Sequence, residues 1–290
     1  MKPENLLQNI HLRTQKCSVG CPTLNHFLNG GVPCNSITEL VAESGSGKTQ
    51  FCLQLALSAQ LPPSHGGLSA SSLYIHSEFP FPIRRLRQLS LALRSTYPHL
   101  FRSVDPCDSV FVRGVYSADE FVQLIPIIEL HILNSKFRLP VRVIVVDSIA
   151  ALFRSDFENT GSDLRRRSSL FFKISGALKS LAKRYGLAVM VTNQVVDMIG
   201  GACPGITGMR IGNLTELYSS GRQICPALGL AWANCVNSRL FLSRDQAVNG
   251  NGELYQRRRL CVVFAPHLPA SSCDIVIKGE GVFGVEMQQA

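Results

Sequence analysis

A glycine, a lysine and a threonine in a row, Gly47, Lys48 and Thr49, close the stretch "ITELVAESGSGKTQ" at residues 37–50. They fit the second half of a phosphate-binding loop, G-x-x-x-x-G-K-[ST]. In such a loop, backbone N–H groups curl around phosphate oxygens at the positive end of a helix. The lysine reaches the outer phosphates and the threonine hydroxyl ligates magnesium. The candidate contacts to ATP are therefore Glu43, Ser44, Gly45, Ser46, Gly47, Lys48, Thr49 and Gln50, with Mg2+ at Thr49. Ala42 stands where the pattern has its first glycine. Alanine serves there if its φ is negative, and Gly45 adds freedom inside the loop.

Three other sites carry matching chemistry. Asp147 ends the hydrophobic strand "VRVIVVDS", where a carboxylate can order a magnesium ion. Glu78 closes "SLYIHSE", where a carboxylate can take a proton from an attacking water. "LAVMVTNQ" ends in Asn193 and Gln194, amides that can hydrogen-bond a γ-phosphate. Singly these are a helix cap, a surface carboxylate and a pair of turn residues. At the C-terminal ends of four strands they read together as an ATP site, with hydrolysis a separate question.

The elements that must position them alternate along the chain. "SITELVA" reads as a buried strand, followed by the helix "GKTQFCLQLALSAQ". "SLYIHSE" and "SVFVRGV" are strands, with helices at about 83–95 and 117–133. The β-branched run of "VRVIVVDS" suits a parallel strand covered on both faces. A helix from about Asp163 to Tyr185 sets Phe171, Ile174, Leu178 and Leu181 on one face, and "LAVMVTNQ" follows it as a strand. This alternation predicts an α/β fold: a mostly parallel sheet flanked by helices, with ligands at the strand C-terminal edge. Beyond Trp232 the pattern changes to hairpins ("NSRLFLSR", "RRLCVVFAP", "CDIVIKG", "VFGVE"), an antiparallel extension of the same sheet.

With 290 residues, 46% hydrophobic and 17% charged, the chain can bury one substantial core. No run of 18 apolar residues suggests a membrane span, and the N-terminus does not read as a secretion signal. Ten scattered cysteines without a C-x-x-C pair read as reduced thiols. A net charge of +9 favours an anionic partner such as nucleic acid. Between Val196 and Pro226, six glycines and two prolines predict a long irregular loop, which is usually functional or disordered.

These residues, in this order, resemble the RecA-type recombinases of the eukaryotic and archaeal strand-exchange family, over about Ser18 to Gly284. The pieces carrying the resemblance include "SVGCPTLNHFLNGGVPCNSITEL", "VVDSIAALFRSDF", "LGLAWANCVNSRLFL", "RIGNL" and "APHLPASSC". The chain looks like one of that family's paralogues, which implies a RecA-like P-loop ATPase core over 18–290 behind a linker or arm over 1–17. By the same resemblance the helical N-terminal DNA-binding domain of full-length recombinases is expected to be absent. The likeness makes Lys48 and Thr49 the phosphate and magnesium contacts, Glu78 the water-activating glutamate and Asp147 the supporting acid. Gln194 becomes the γ-phosphate sensor, and Arg85 would pack on the adenine ring. None of the fifteen phenylalanines starts the Phe-x-x-Ala plug with which such proteins dock on their next copy. A hetero-oligomer with another recombinase paralogue is therefore expected, in the nucleus, on single-stranded or branched DNA.

In this fold DNA meets two loops. Here they would offer Arg154, Arg165, Arg166 and Arg167 in the first, and Arg210 and Arg222 in the glycine-rich second. Three arginines in a first helical turn oppose the helix dipole, which favours phosphate binding as their purpose. Two functions stay open: an ATP-dependent DNA-repair paralogue with weak DNA-stimulated ATPase activity, or an interaction subunit that binds ATP and hydrolyses it negligibly. A hexameric-helicase core fits the early motifs but not "WANCVNSRLFL" or "APHLPASSC".

Overall fold

A computed structural model describes residues 15–78, 80–134, 136–154, 160–198, 217–248 and 252–285. Strand β1 (Lys16–Cys17) leads to helix α1 (Pro22–Phe27), strands β2 (Val32–Pro33) and β3 (Ser36–Ala42), and helix α2 (Lys48–Ser58). Next come β4 (Ser71–His76), α3 (Ile83–Thr96), β5 (Val110–Gly114) and α4 (Ala118–Ile132). Then follow β6 (Val141–Asp147), α5 (Gly161–Tyr185) and β7 (Ala188–Asn193). Three short strands, β8 (Val195–Asp197), β9 (Leu217–Ser219) and β10 (Arg222–Pro226), precede α6 (Gly229–Ala233). The last four strands are β11 (Ser238–Val248), β12 (Leu254–Phe264), β13 (Ser272–Ile277) and β14 (Val282–Gly284).

The main sheet runs β14-β13-β12-β11-β3-β7-β6-β4-β5 among the described residues. From β11 to β5 every neighbour is parallel, while β12, β13 and β14 add antiparallel strands. This is the mostly parallel, helix-flanked sheet that the strand–helix alternation implied, with the antiparallel extension, and it agrees with the RecA-like core that the resemblance implied. Side chains of a strand alternate between faces, so a strand covered on both sides must be apolar throughout. In β6, Val143 and Val145 join the core under α2 and α3, with Phe51 and Leu86. Ile144 and Val146 join the opposite core under α4 and α5, with Phe121 and Phe171.

Helix α2 is buried from Phe51 to Ser58, because β14 and the turn after β1 cover its outer side. The buried Gln54 amide is satisfied by that cover. The amide donates to the carbonyls of Val19 (2.7 Å) and Val282 (3.0 Å) and accepts from the Val282 N–H. Strand β1 lies within the expected arm yet pairs with β2, and Cys17 is fully buried.

At the middle of β3, Glu39 is buried and accepts hydrogen bonds from Arg239 on β11, Trp232 on α6 (2.9 Å) and Asn193 on β7 (2.8 Å). An uncompensated buried carboxylate would be costly, and these three donors offset the cost. Asn193 therefore turns into the core, not toward a γ-phosphate as its strand-end position suggested.

Two further expectations change. Helix α5 begins at Gly161, capped by the Thr160 hydroxyl with Asp163 in its first turn. Arg165, Arg166 and Arg167 thus lie beyond the turn that feels the dipole, so that electrostatic argument does not apply to them. The glycine-rich stretch is not irregular throughout: β8, β10 and β9 form a three-stranded sheet at its two ends. Residues 199–216, with Arg210, lie outside the described residues.

Breaking a buried ion pair by removing one partner costs about 3–5 kcal/mol. Glu39→Ala should lower the unfolding free energy by that order in urea titrations; a loss within experimental error would show that the pair does not secure β3 to β11.

Candidate nucleotide site

The phosphate loop leaves β3 at Ala42 and enters α2 at Lys48. Ala42 is not among the described residues with positive φ, so alanine is tolerated at this strand exit. Gly45 (φ 77°) and Gly47 (φ 115°) take the left-handed conformations that glycine allows. A Cβ at Gly47 would also lie 2.5 Å from the Ile277 side chain. The Lys48 ammonium donates to the carbonyls of Ala42 (2.7 Å) and Glu43 (2.9 Å). Burial lowers its pKa, against the opposing pull of Asp147 and Glu78.

Asp147, at the end of β6, receives three hydroxyls. Its Oδ2 accepts from Thr49 (2.7 Å) and Tyr74 (2.6 Å), and its Oδ1 from Thr192 (2.7 Å). Burial, reinforced by the Asp147 charge, raises the Tyr74 phenol pKa and keeps it a donor. At the end of β7 the Gln194 amide donates to the Glu78 carboxylate at 2.6 Å, with Arg154 3.6 Å away. Lys48, Thr49, Glu78, Asp147 and Gln194 thus line one open cleft of about 570 Å³. Arg85 lines it too, bonded to the Gln50 and Gln88 side chains and to the carbonyls of Lys278 and Gly279.

Glu43 faces away from this cleft. Its buried carboxylate accepts from Ser219 (2.7 Å), Ser220 and Arg222 (3.0 Å), with Arg244 3.3 Å away. Burial alone would raise its pKa, but the Ser220 and Ser219 hydroxyls and Arg244 bring it below the usual carboxylate range. Arg222 also grips Asp197 on β8 through two hydrogen bonds, of 2.8 and 2.9 Å. The phosphate loop is thereby fastened to the sheet at the base of the glycine-rich segment.

The remaining arginine candidates are dispersed. Arg166 pairs with Asp119. Arg167 lies over the Phe171 ring (5.4 Å to its centroid), and burial lowers its pKa. Arg165 is exposed. Among the described residues no helix is long and apolar enough to cross a membrane, and nine cysteines are free thiols.

Sequence reasoning missed Tyr74, Thr192 and Arg258. A tyrosine inside a buried strand calls for a hydroxyl partner, so Tyr74 carried a usable signal. Arg258 reaches the cleft only through the pairing of β11 with β12, which no local motif encodes.

A parallel sheet with a phosphate loop at its C-terminal edge and an antiparallel extension defines a RecA-type domain. The chain belongs to the Rad51 family, whose family model matches residues 11–285. It is 52% identical to the DNA repair protein XRCC3 homolog of Arabidopsis thaliana, covering 99% of this chain and 98% of that protein. It is 35% identical to DNA repair protein XRCC3 of Bos taurus, over 93% of this chain and 75% of that one. A more distant relative is DNA repair protein RAD51 homolog 2 of Mus musculus, 29% identical over 95% of this chain and 77% of that protein.

Hydrogen bonds to a charged group contribute about 1.5–3 kcal/mol each. Glu43→Gln should therefore speed amide hydrogen exchange across Leu217–Pro226 by about 10-fold or more. Unchanged exchange there would mean that the hairpin holds itself without the phosphate loop.

Proposed function

We propose that this chain is an ATP-dependent, DNA-binding recombinase paralogue that acts in homologous-recombination repair of DNA double-strand breaks. It would work in the nucleus, within a hetero-oligomer containing another recombinase paralogue, on single-stranded or branched DNA. The observation that carries this reading is the convergence of Lys48, Thr49, Glu78, Asp147 and Gln194 on one cleft, from the ends of β3, β4, β6 and β7. Family membership supports nucleotide binding, and the names of the Arabidopsis and bovine relatives support DNA repair.

The residues fit ATP and magnesium. Gly45 and Gly47 allow the left-handed turns from which an anion-binding loop of backbone N–H groups is built, and the Thr49 hydroxyl lies 2.7 Å from Asp147. Thr49 would hold the ion and Asp147 would keep the threonine oriented. Magnesium, when bound, would neutralise phosphate charge. Lys48 would leave its two carbonyls for the outer phosphates, and Arg85 would border the base. Gln194, turning to a γ-phosphate, would release Glu78 to accept the proton of an attacking water. That turn would also pull on β8, which begins at the next residue. Arg154, Arg165, Arg166, Arg167, Arg210 and Arg222 are proposed DNA contacts. Exposed ion pairs contribute at most about 1 kcal/mol, so phosphates can displace those of Arg154 and Arg166.

A second reading, an ATP-binding scaffold subunit with negligible hydrolysis, is favoured by one observation. Glu78 is held by Gln194 and Arg154, so its carboxylate is not poised as a base.

The isolated chain should hydrolyse ATP weakly, faster with a recombinase-paralogue partner and single-stranded DNA, and Lys48→Ala should abolish that stimulated turnover. Turnover indifferent to both additions, or surviving Lys48→Ala, would refute the ATPase reading. Repair that is intact with Glu78→Gln, despite ATP binding, would select the scaffold reading.

A further inference from the structure

Arg244 and Arg258 stand opposite each other across the β11–β12 pair. Directly opposed residues share a face of the sheet, and like charges placed so repel. The fold answers Arg244 with the Glu43 carboxylate at 3.3 Å, and seats its guanidinium beside Gly45. Arg258 has no such carboxylate among the described ion pairs. Its described hydrogen bond goes to Gln256 (2.6 Å), and its Nε is buried without a partner. The arginines on either side differ: Arg257 and Arg259 share Asp274, 2.6 and 3.0 Å away. Strand alternation sends those two to the opposite face. Burial, and then the Arg244 charge, push the Arg258 pKa down, so its charge is held there at a cost.

That cation lines the same cleft as Ser44, Gly45, Gly47 and Lys48. Of the other charged groups lining the cleft, Lys48, Arg85, Asp147 and Glu78 already have partners, while the exposed Lys278 ammonium has none among the described contacts. Lys48 is capped by carbonyls, and Arg85 by carbonyls and two glutamines. Asp147 holds three hydroxyls, and Glu78 is bonded to Gln194. A half-buried guanidinium with spare donors beside a phosphate loop calls for an anion. The planar fork of arginine pairs with phosphate oxygens two at a time.

We infer that Arg258 is a phosphate-binding residue of the nucleotide site, donated by the same chain, whose guanidinium pairs with the polyphosphate of bound ATP. This rests on the nucleotide reading given above. Arg258 enters the cleft from the antiparallel extension, so it makes that extension a wall of the site as well as a cover for the sheet.

The test is calorimetric titration of Mg-ATP into wild type, Arg258→Gln, Arg258→Lys and Lys48→Ala, with melting curves of each variant without nucleotide. Loss of a charge-assisted contact should weaken Mg-ATP binding by about 10-fold or more in Arg258→Gln, with Arg258→Lys intermediate. Relief of repulsion from Arg244 should leave the nucleotide-free melting temperature of Arg258→Gln at or above that of wild type. Affinity within about twofold of wild type in Arg258→Gln, while Lys48→Ala has lost binding, would overturn the assignment and leave the nucleotide reading standing. A marked fall in the melting temperature would make Arg258 a structural residue and overturn it equally. Wild type that binds no Mg-ATP would remove both readings at once.

Discussion

The Asp147 carboxylate ties the head of the phosphate-loop helix to three strands at once. Thr49, Tyr74 and Thr192 all donate to it, from α2, β4 and β7, while Asp147 itself ends β6. Hydrogen bonds to a charged acceptor contribute about 1.5–3 kcal/mol each, but their larger effect is geometric. The helix N-terminus, whose free N–H groups make the anion site, is registered against the strand ends that carry Glu78 and Gln194. Without that registration the polar groups would remain on the same sheet edge but would not share a cleft.

A second pattern is the division of labour between two carboxylates, one on β3 and one in the loop that follows it. Glu39 faces the core and binds β3 to Arg239 of β11, which brings the antiparallel extension against the parallel sheet. Glu43, just past the strand end, binds the base of the glycine-rich segment through Ser219, Ser220 and Arg222. Together with the Gln194–Glu78 hydrogen bond, this gives two fixed points between the nucleotide cleft and the three-stranded sheet of β8, β10 and β9. Any change at the cleft that moves Glu43 or Gln194 reaches that sheet directly.

Much of this was legible in the sequence because the information is local. The near-continuous apolar runs mark β3, β4, β6 and β7 to within a residue or two, and the last three lead into Glu78, Asp147 and Gln194 at the cleft. The tolerated Ala42 followed from backbone sterics alone. What was not legible depends on contacts far apart in the chain. Asn193 and Gln194 are neighbours, yet strand alternation sends one to Glu39 in the core and the other to Glu78 in the cleft. Glu43 looked like a loop residue facing phosphate, but its partners lie some 180 residues away. Capped by Thr160, α5 starts at Gly161, two residues ahead of the expected Asp163, which changes the meaning of three arginines.

On the proposed reading, nucleotide at the phosphate loop would be joined mechanically to the base of the glycine-rich segment through Glu43 and Gln194. The most direct measurement is amide hydrogen exchange of the wild-type chain with and without a non-hydrolysable Mg-ATP analogue. The expected result is altered protection both at Ala42–Thr49 and across Val195–Asp197 and Leu217–Pro226. Protection that changes at the phosphate loop alone would contradict it.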